Sequence, residues 1–169
     1  MKSISTARIL QLFDHQQTSR HKRHLLEKAH SYFMFTIESP ETIHALIMRN
    51  VSSSRILTPQ KWGIIGSTYA LGPIIHRLIR KSLTFSDLLS TPGDYSPNWL
   101  ARLIELDHTF SYDHFSPLIL RRPLPQEQSE CPGSPFRVWD GSRRALALSN
   151  RLIRQTLDFQ PVPAILMID

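Results

Sequence analysis

The chain has 169 residues, of which 41% are hydrophobic, a formal net charge of +6 and one cysteine, Cys131. This composition excludes a wholly disordered chain, and the length fits one domain, with or without an extension, rather than two full domains. A single cysteine excludes an internal disulfide and a thiolate zinc site, and we find no apolar run that suits a signal peptide or a membrane span. We therefore expect a soluble protein of a reducing compartment such as the cytoplasm.

The charge predicts a polyanionic partner. Fifteen of the 20 basic residues are arginine, whose planar guanidinium suits phosphate better than the lysine ammonium does. Residues 1–30 carry +4 and residues 121–169 carry +2, on either side of a stretch of −3 over residues 91–120. Nucleic acid or a nucleotide fits this pattern, and a role in solubility alone is the alternative.

Residues 1–83 predict an all-helical N-terminal extension. Apolar residues recur at helical spacing from Ile4 to Phe33. Serine or threonine before proline marks helix starts at Ser39-Pro40 and Thr58-Pro59, and Gly72-Pro73 does so less clearly. A basic cluster interrupts the first helices, and we expect its side chains to contact nucleic acid: Arg20, Lys22 and Arg23.

Residues 84–169 predict an α+β domain with a small mixed sheet. The predicted order is a helix from Ser96-Pro97 to about Asp107, strands over residues 117–121 and 136–139, a helix over residues 142–155 and a strand over residues 162–168. Residues 123–135 are rich in Pro, Gln, Glu and Ser and predict a loop. An additional short strand is predicted over residues 81–85.

The segment FRVWDGSRRALAL carries the most chemical information. A strand ends at Asp140, the chain turns at Gly141, and the next helix begins with Ser142, Arg143 and Arg144. A helix N-terminus offers unpaired N–H groups and a positive dipole end, and arginines add charge-assisted hydrogen bonds, so phosphate is the ligand that this turn favours. An ordinary strand-turn-helix with solvated arginines is the alternative.

This segment resembles the signature of the ParB/sulfiredoxin superfamily. ParB-type proteins have Gly-Glu-Arg-Arg after a strand, sulfiredoxins have Gly-Cys-His-Arg, and this chain has Gly141-Ser142-Arg143-Arg144. The flanking apolar strands, Pro117-Leu118-Ile119-Leu120-Arg121 and Val162-Pro163-Ala164-Ile165-Leu166-Met167, fit the family in order and spacing. The resemblance covers residues 84–169, about half of the chain.

The resemblance implies a nucleotide site and a set of activities. It carries over Gly141, Ser142, Arg143 and Arg144 as contacts for the phosphates of ATP or CTP, with Mg²⁺ as the metal. Family members include nucleotide hydrolases, phosphotransferases and nucleases, and some small plasmid-borne members with a helical N-terminal addition block DNA transfer. It therefore implies an ATPase that binds DNA and cleaves it with a metal, in the manner of these conjugation inhibitors.

Two departures limit what is carried over. Ser142 stands where sulfiredoxins have the reactive cysteine, which excludes their repair reaction, and where partition proteins have glutamate. Asp140 is then the candidate metal ligand, and Asp140, Arg143 and Arg144 are the candidate catalytic residues. The Asp107-His108 and Asp113-His114 pairs are further metal-binding or general-base candidates, and a polar loop is their alternative reading.

The chemistry leaves three functions open. The first is the nucleotide hydrolase, which binds DNA without sequence preference through Arg20, Lys22, Arg23, Arg121 and Arg122. The second is a non-catalytic module, switched by nucleotide, that binds a DNA-transfer or partition complex. The third is a small-molecule phosphotransferase.

Overall fold

The computed structural model describes residues 2–13, 31–49, 67–89 and 97–168, and these residues form a mixed α+β fold around one sheet. The predicted α+β class is therefore confirmed. The described strands are β1 (Lys2–Ser3), β2 (Ser31–Ile37), β3 (Ile47–Arg49), β4 (Thr68–Ala70), β5 (Leu118–Arg121), β6 (Arg137–Asp140) and β7 (Val162–Ile168). The described helices are α1 (Thr6–Phe13), α2 (Pro40–Ala45), α3 (Leu71–Arg80), α4 (Phe85–Leu89), α5 (Pro97–His108), α6 (Pro125–Glu130) and α7 (Ser142–Ile153), with a 3-10 turn over Tyr112–His114.

The described strands form one mixed sheet in the order β1-β2-β7-β5-β6-β3-β4. Strand β7 pairs antiparallel with β2 over seven residues and parallel with β5. Strand β6 pairs antiparallel with β5 and parallel with β3. The carboxyl end of β6, where the predicted phosphate turn begins, therefore lies in the interior of the sheet order rather than at an edge.

The two faces of the sheet have different cores. The larger core joins Leu118, Leu120 and Val138 on one face to buried residues of α2, α3, α5 and α7. The smaller core lies on the opposite face, where Ile119 and its neighbours contact α1 through Ile9. Because side chains alternate along a strand, β5 and β6 supply residues to both faces.

The all-helical prediction for residues 1–83 is wrong. Helices α1, α2 and α3 are present, but strands β1 to β4 also come from this stretch and join the sheet. Residues of β2 are rich in aromatic and β-branched side chains, which favour an extended chain, and all seven pair with β7. The sheet thus takes strands from both sides of the predicted boundary at residue 83. The predicted helix start at Thr58-Pro59 lies outside the described residues.

The predicted helix start at Ser39-Pro40 is confirmed, and α5 begins at Pro97, while Ser96 lies outside the described residues. Ser39 Oγ accepts a hydrogen bond from the Thr42 N–H at 3.3 Å, which satisfies a free donor of α2. The C-terminal order of helix, two strands, helix and strand is also confirmed. None of the described helices is long and apolar enough to cross a membrane.

Two C-terminal predictions are wrong. Residues 81–85 do not form a strand, because Lys81 ends α3 and α4 begins at Phe85. The predicted loop over residues 123–135 contains α6. Proline at the first position starts that helix, and Glu127 Oε2 accepts a hydrogen bond from the Leu124 N–H at 2.9 Å.

Candidate functional site

Strand β6 passes into α7 through a left-handed glycine. Gly141 has φ +94°, and its carbonyl accepts the hydrogen bond of the Ala145 N–H at 2.9 Å. A Cβ at this position would lie 2.8 Å from Leu118 Cδ2, so only glycine fits the close approach to β5. The N-cap residue, Gly141, has no side chain that could cap the helix. The turn therefore leads into the positive end of a helix of 12 residues.

Arg144 lies inside the protein at this turn. Its side chain is about one-tenth exposed, and Nη2 donates hydrogen bonds to the Pro117 carbonyl at 3.3 Å and to Asp140 Oδ2 at 3.4 Å. Burial lowers the pKa of Arg144, while the Asp140 carboxylate acts in the opposite direction. The contacts tie the first turn of α7 to the start of β5. The described contacts of Arg144 therefore link α7 to β5, and its role as a phosphate contact stays a prediction.

Arg143 points away from that link. Its guanidinium carbon lies 6.0 Å from the centre of the Trp99 ring on α5. Burial lowers the pKa of Arg143, the neighbouring Arg102 lowers it further, and Asp140 raises it. Within the described part of the chain, no hydrogen bond or ion pair of Arg143 with another side chain is found. The charge of Arg102 therefore acts on Arg143 in the first turn of α7.

Asp140 is a possible metal ligand without further carboxylate, histidine or cysteine ligands grouped around it among the described residues. Its side chain is one-fifth exposed, and the guanidinium of Arg144 lies 3.4 Å away. The described residues contain no group of three or more His, Cys, Asp or Glu side chains arranged to hold a metal ion. A metal bound by Asp140 would therefore take its other oxygen ligands from a nucleotide and from water, which is common for Mg²⁺.

The Asp107-His108 pair lies at the C-terminal end of α5 and not in the Gly141 turn. Asp107 Oδ1 accepts a hydrogen bond from Asn150 Nδ2 at 3.0 Å, and its carbonyl accepts two from Arg151. These contacts hold the end of α5 against α7, next to a cavity of about 180 Å³ that Asp107 and His108 line. Asp113 and His114 lie in the exposed 3-10 turn. The structure does not bring either pair into the Gly141 turn.

Two of the five residues predicted to contact nucleic acid, Arg121 and Arg122, lie within the described part of the chain. Arg20, Lys22 and Arg23 lie outside the described residues. Arg121 ends β5, with its guanidinium carbon 5.0 Å from the centre of the Trp139 ring, and Arg122 is exposed.

Sequence reasoning missed three arginines that lie beside predicted ones. Arg102 is close enough to Arg143 to lower its pKa. Arg49 and Arg121 in the same way lower the pKa of Arg137. The alternation in Phe136-Arg-Val-Trp could have found one of them, because it places residues 137 and 139 on the same face of a strand. The position of Arg102 on α5 gives no comparable local signal.

Comparison of the chain with protein-family models, with curated proteins and with solved structures finds no match.

Proposed function

We propose that this protein binds a nucleoside triphosphate at the start of α7 and uses it in the handling of DNA, as a ParB/sulfiredoxin-like nucleotide hydrolase would. The observation that carries the proposal is the position of Arg143. It lies in the first turn of a helix whose N-cap is Gly141, close to Arg102, and within the described part of the chain no carboxylate forms an ion pair with it, although the charge of Asp140 acts on it. Helix N–H groups and guanidinium groups together favour phosphate.

The nucleotide site is smaller than the sequence alone suggests. Gly141 allows a phosphate to approach the backbone, and Ser142 and Arg143 supply a hydroxyl and a cation. Arg144 supports the turn from inside, through Pro117 and Asp140. ATP and CTP share the triphosphate that these groups would hold, and the described residues do not distinguish the two bases.

A magnesium ion at this site would have Asp140 as its protein ligand. Asp140 would hold it through one carboxylate oxygen, and the ion would neutralise negative charge on the phosphates. The chain's own contribution to hydrolysis would be electrostatic: Arg143 and the N-terminus of α7 would stabilise charge that develops on the phosphate oxygens.

A thermal-shift titration tests the nucleotide site. At a concentration of 100 times Kd, a ligand that binds only the folded state adds about 2.7 kcal/mol to the free energy of unfolding. For a chain of this size we expect ATP or CTP with Mg²⁺ to raise Tm by about 5–10 °C. Arg143→Gln should lose between about a third and nine-tenths of that shift at the same ligand concentration.

Arg80→Gln is the matched control, because Arg80 is an exposed arginine at the end of α3 and away from the turn. It should keep the full nucleotide shift. Absence of a shift with ATP, CTP, GTP and ADP would overturn the proposal, and so would an equal shift in Arg143→Gln.

The Asp140–Arg144 ion pair favours a second candidate, a nucleotide-switched binding module without catalysis. A carboxylate that already neutralises a buried guanidinium would give up part of that interaction in order to hold a metal. Nucleotide binding with Mg²⁺ but without release of phosphate would select this candidate over the hydrolase.

A further inference from the structure

Helices α5 and α7 lie side by side and run in the same direction. Near their first turns, the guanidinium carbon of Arg143 lies 6.0 Å from the centre of the Trp99 ring. An equal number of residues farther along each helix, Arg151 Nε donates a hydrogen bond to the Asp107 carbonyl at 2.7 Å. Because the spacing is the same on both helices, the N-terminal half of α5 lies beside the start of α7.

Arg102 lies at the same end of the helix pair. It follows Trp99 by about one turn of α5, and residues at this spacing are neighbours on one helix face. Trp99 packs against the larger core, whereas Arg102 is exposed. Burial lowers the pKa of Arg143, and the charge of Arg102 lowers it further. Two cations on two helices therefore act on each other here, and we call Arg102 and Arg143 the arginine pair.

The arginine pair has little negative charge around it. Neither helix has an acidic residue in its first turn, where a carboxylate would be favourable. Asp140 is the described carboxylate whose charge acts on Arg143, and it already lies 3.4 Å from Arg144 Nη2. Within the described part of the chain Arg102 forms no ion pair, not even with Glu105 one turn farther along α5. Like charges repel, so a bound anion would stabilise the arginine pair.

The contact with Trp99 positions Arg143 without using its hydrogen-bond donors. A cation over an aromatic ring is attracted by the ring face, and the indole nitrogen is a donor only. The side chain of Arg143 is partly exposed, so its N–H groups are available to phosphate oxygens. The ring face that Arg143 covers is, for the same reason, not available to a nucleotide base.

We infer that Arg102 is a second phosphate contact of the proposed nucleotide site, and that this site recognises a polyphosphate chain rather than a base. Packed helices have axes about 8–10 Å apart, so cations on two helices match a chain of phosphates better than a single phosphate group. A chain also carries more negative charge to oppose both guanidinium groups. ATP, CTP and inorganic triphosphate share this chain. The inference rests on the proposed function and adds a residue and a ligand class to the same site.

The test is isothermal titration calorimetry of the whole protein with ATP, CTP and inorganic triphosphate, in excess Mg²⁺ and at constant ionic strength. The three Kd values should agree within about fivefold, because the base adds less than one charge-assisted hydrogen bond. Arg102→Gln should weaken all three ligands by a common factor of at least about fivefold, the loss of one such bond. Arg80→Gln removes the same charge from an exposed position on α3 and should change the affinities less than about twofold.

Two further measurements separate a phosphate contact from a structural role. Because Arg102 is exposed, Arg102→Gln without ligand should keep the wild-type Tm within about 2 °C. Arg102→Lys keeps the charge but not the planar group of donors, so its affinity for inorganic triphosphate should lie between those of the wild type and Arg102→Gln.

Three results would overturn the inference. They are wild-type affinity of Arg102→Gln for the three ligands, a loss that affects ATP and CTP but not inorganic triphosphate, and binding of inorganic triphosphate more than about thirtyfold weaker than that of ATP and CTP.

The same titrations distinguish this inference from the proposed function. If Arg143→Gln weakens ATP binding while Arg102→Gln does not, the proposed nucleotide site stands and the role of Arg102 is wrong. If inorganic triphosphate binds through both arginines while ATP and CTP do not bind, the arginine pair stands as a polyphosphate site and the nucleotide hydrolase is wrong.

Discussion

Arg143 and Arg144 are adjacent in the sequence, but the structure predicts opposite effects when each is replaced. Arg144→Met keeps the apolar length of the side chain and removes its N–H donors. The buried Pro117 carbonyl then loses the donor at 3.3 Å, which costs about 1–3 kcal/mol of the free energy of unfolding. The pair with Asp140, at 3.4 Å and partly exposed, adds about 0.5–1 kcal/mol.

The expected loss for Arg144→Met is therefore about 1.5–4 kcal/mol, which lowers Tm by about 3–16 °C for a chain of this length. Arg143→Gln breaks neither hydrogen bond and should cost at most about 1 kcal/mol. Its effect is expected on the ligand instead: loss of a charge-assisted hydrogen bond weakens nucleotide binding by about 1–3 kcal/mol. Urea unfolding gives the first quantity, and nucleotide titration of the folded protein gives the second.

These predictions fail if Arg143→Gln and Arg144→Met lose similar amounts of unfolding free energy and of nucleotide affinity. They also fail if Arg144→Met unfolds at the same urea concentration as the wild type but does not bind nucleotide. The second result would make Arg144 a ligand contact, as the sequence suggests. Arg144→Lys is a useful intermediate variant, because it keeps the charge but cannot reproduce the planar donor geometry. It should recover less than half of the lost stability.

Three further predictions follow from the same site and core. Gly141→Ala should lower the free energy of unfolding by about 1–3 kcal/mol in urea titrations, because φ is +94° and the new Cβ meets Leu118; wild-type stability would contradict the assigned turn. Asp140→Asn should keep nucleotide binding and lose most phosphate release and any metal-dependent DNA cleavage, and full activity would exclude Asp140 as the metal ligand. Burial lowers the pKa of His44, which hydrogen-bonds Ser149 Oγ at 2.9 Å, below its ordinary value of 6.5. The unfolded chain therefore binds more protons, and stability should fall as the pH drops below about 6.5; His44→Gln should flatten this dependence between pH 5 and 8, and an unchanged profile would remove His44 as its source.

The C-terminal elements are predictable because their signals are local. A proline in the first turn starts α5, and Asp140-Gly141 ends β6 in the sequence as in the structure. The apolar strand β7 directly follows Gln160 and Pro161, and proline is a typical residue of the loops that precede strands. Each of these signals involves neighbours in the chain, so a short window of sequence contains the information.

The N-terminal strands are not predictable in this way. Strand β2 is defined by its pairing with β7, and Ser31 pairs with Ile168 at the far end of the sequence. The aromatic residues of β2 also fit one face of a helix when they are read with the apolar residues before them. Pairing partners, rather than local propensity, decide between the two structures.

The different roles of the two arginines follow from helix geometry combined with one long-range contact. Successive residues of an α-helix point about 100° apart, so the two side chains cannot both face β5. Pro117, 27 residues before Arg144, accepts its hydrogen bond and fixes which arginine turns inward. Once Arg144 is held there, Arg143 must point toward α5, where it meets Trp99 and Arg102. The described contacts thus show that Arg144 secures the turn and leave Arg143 as the candidate for a ligand contact, and no pattern in a single sequence states which is which.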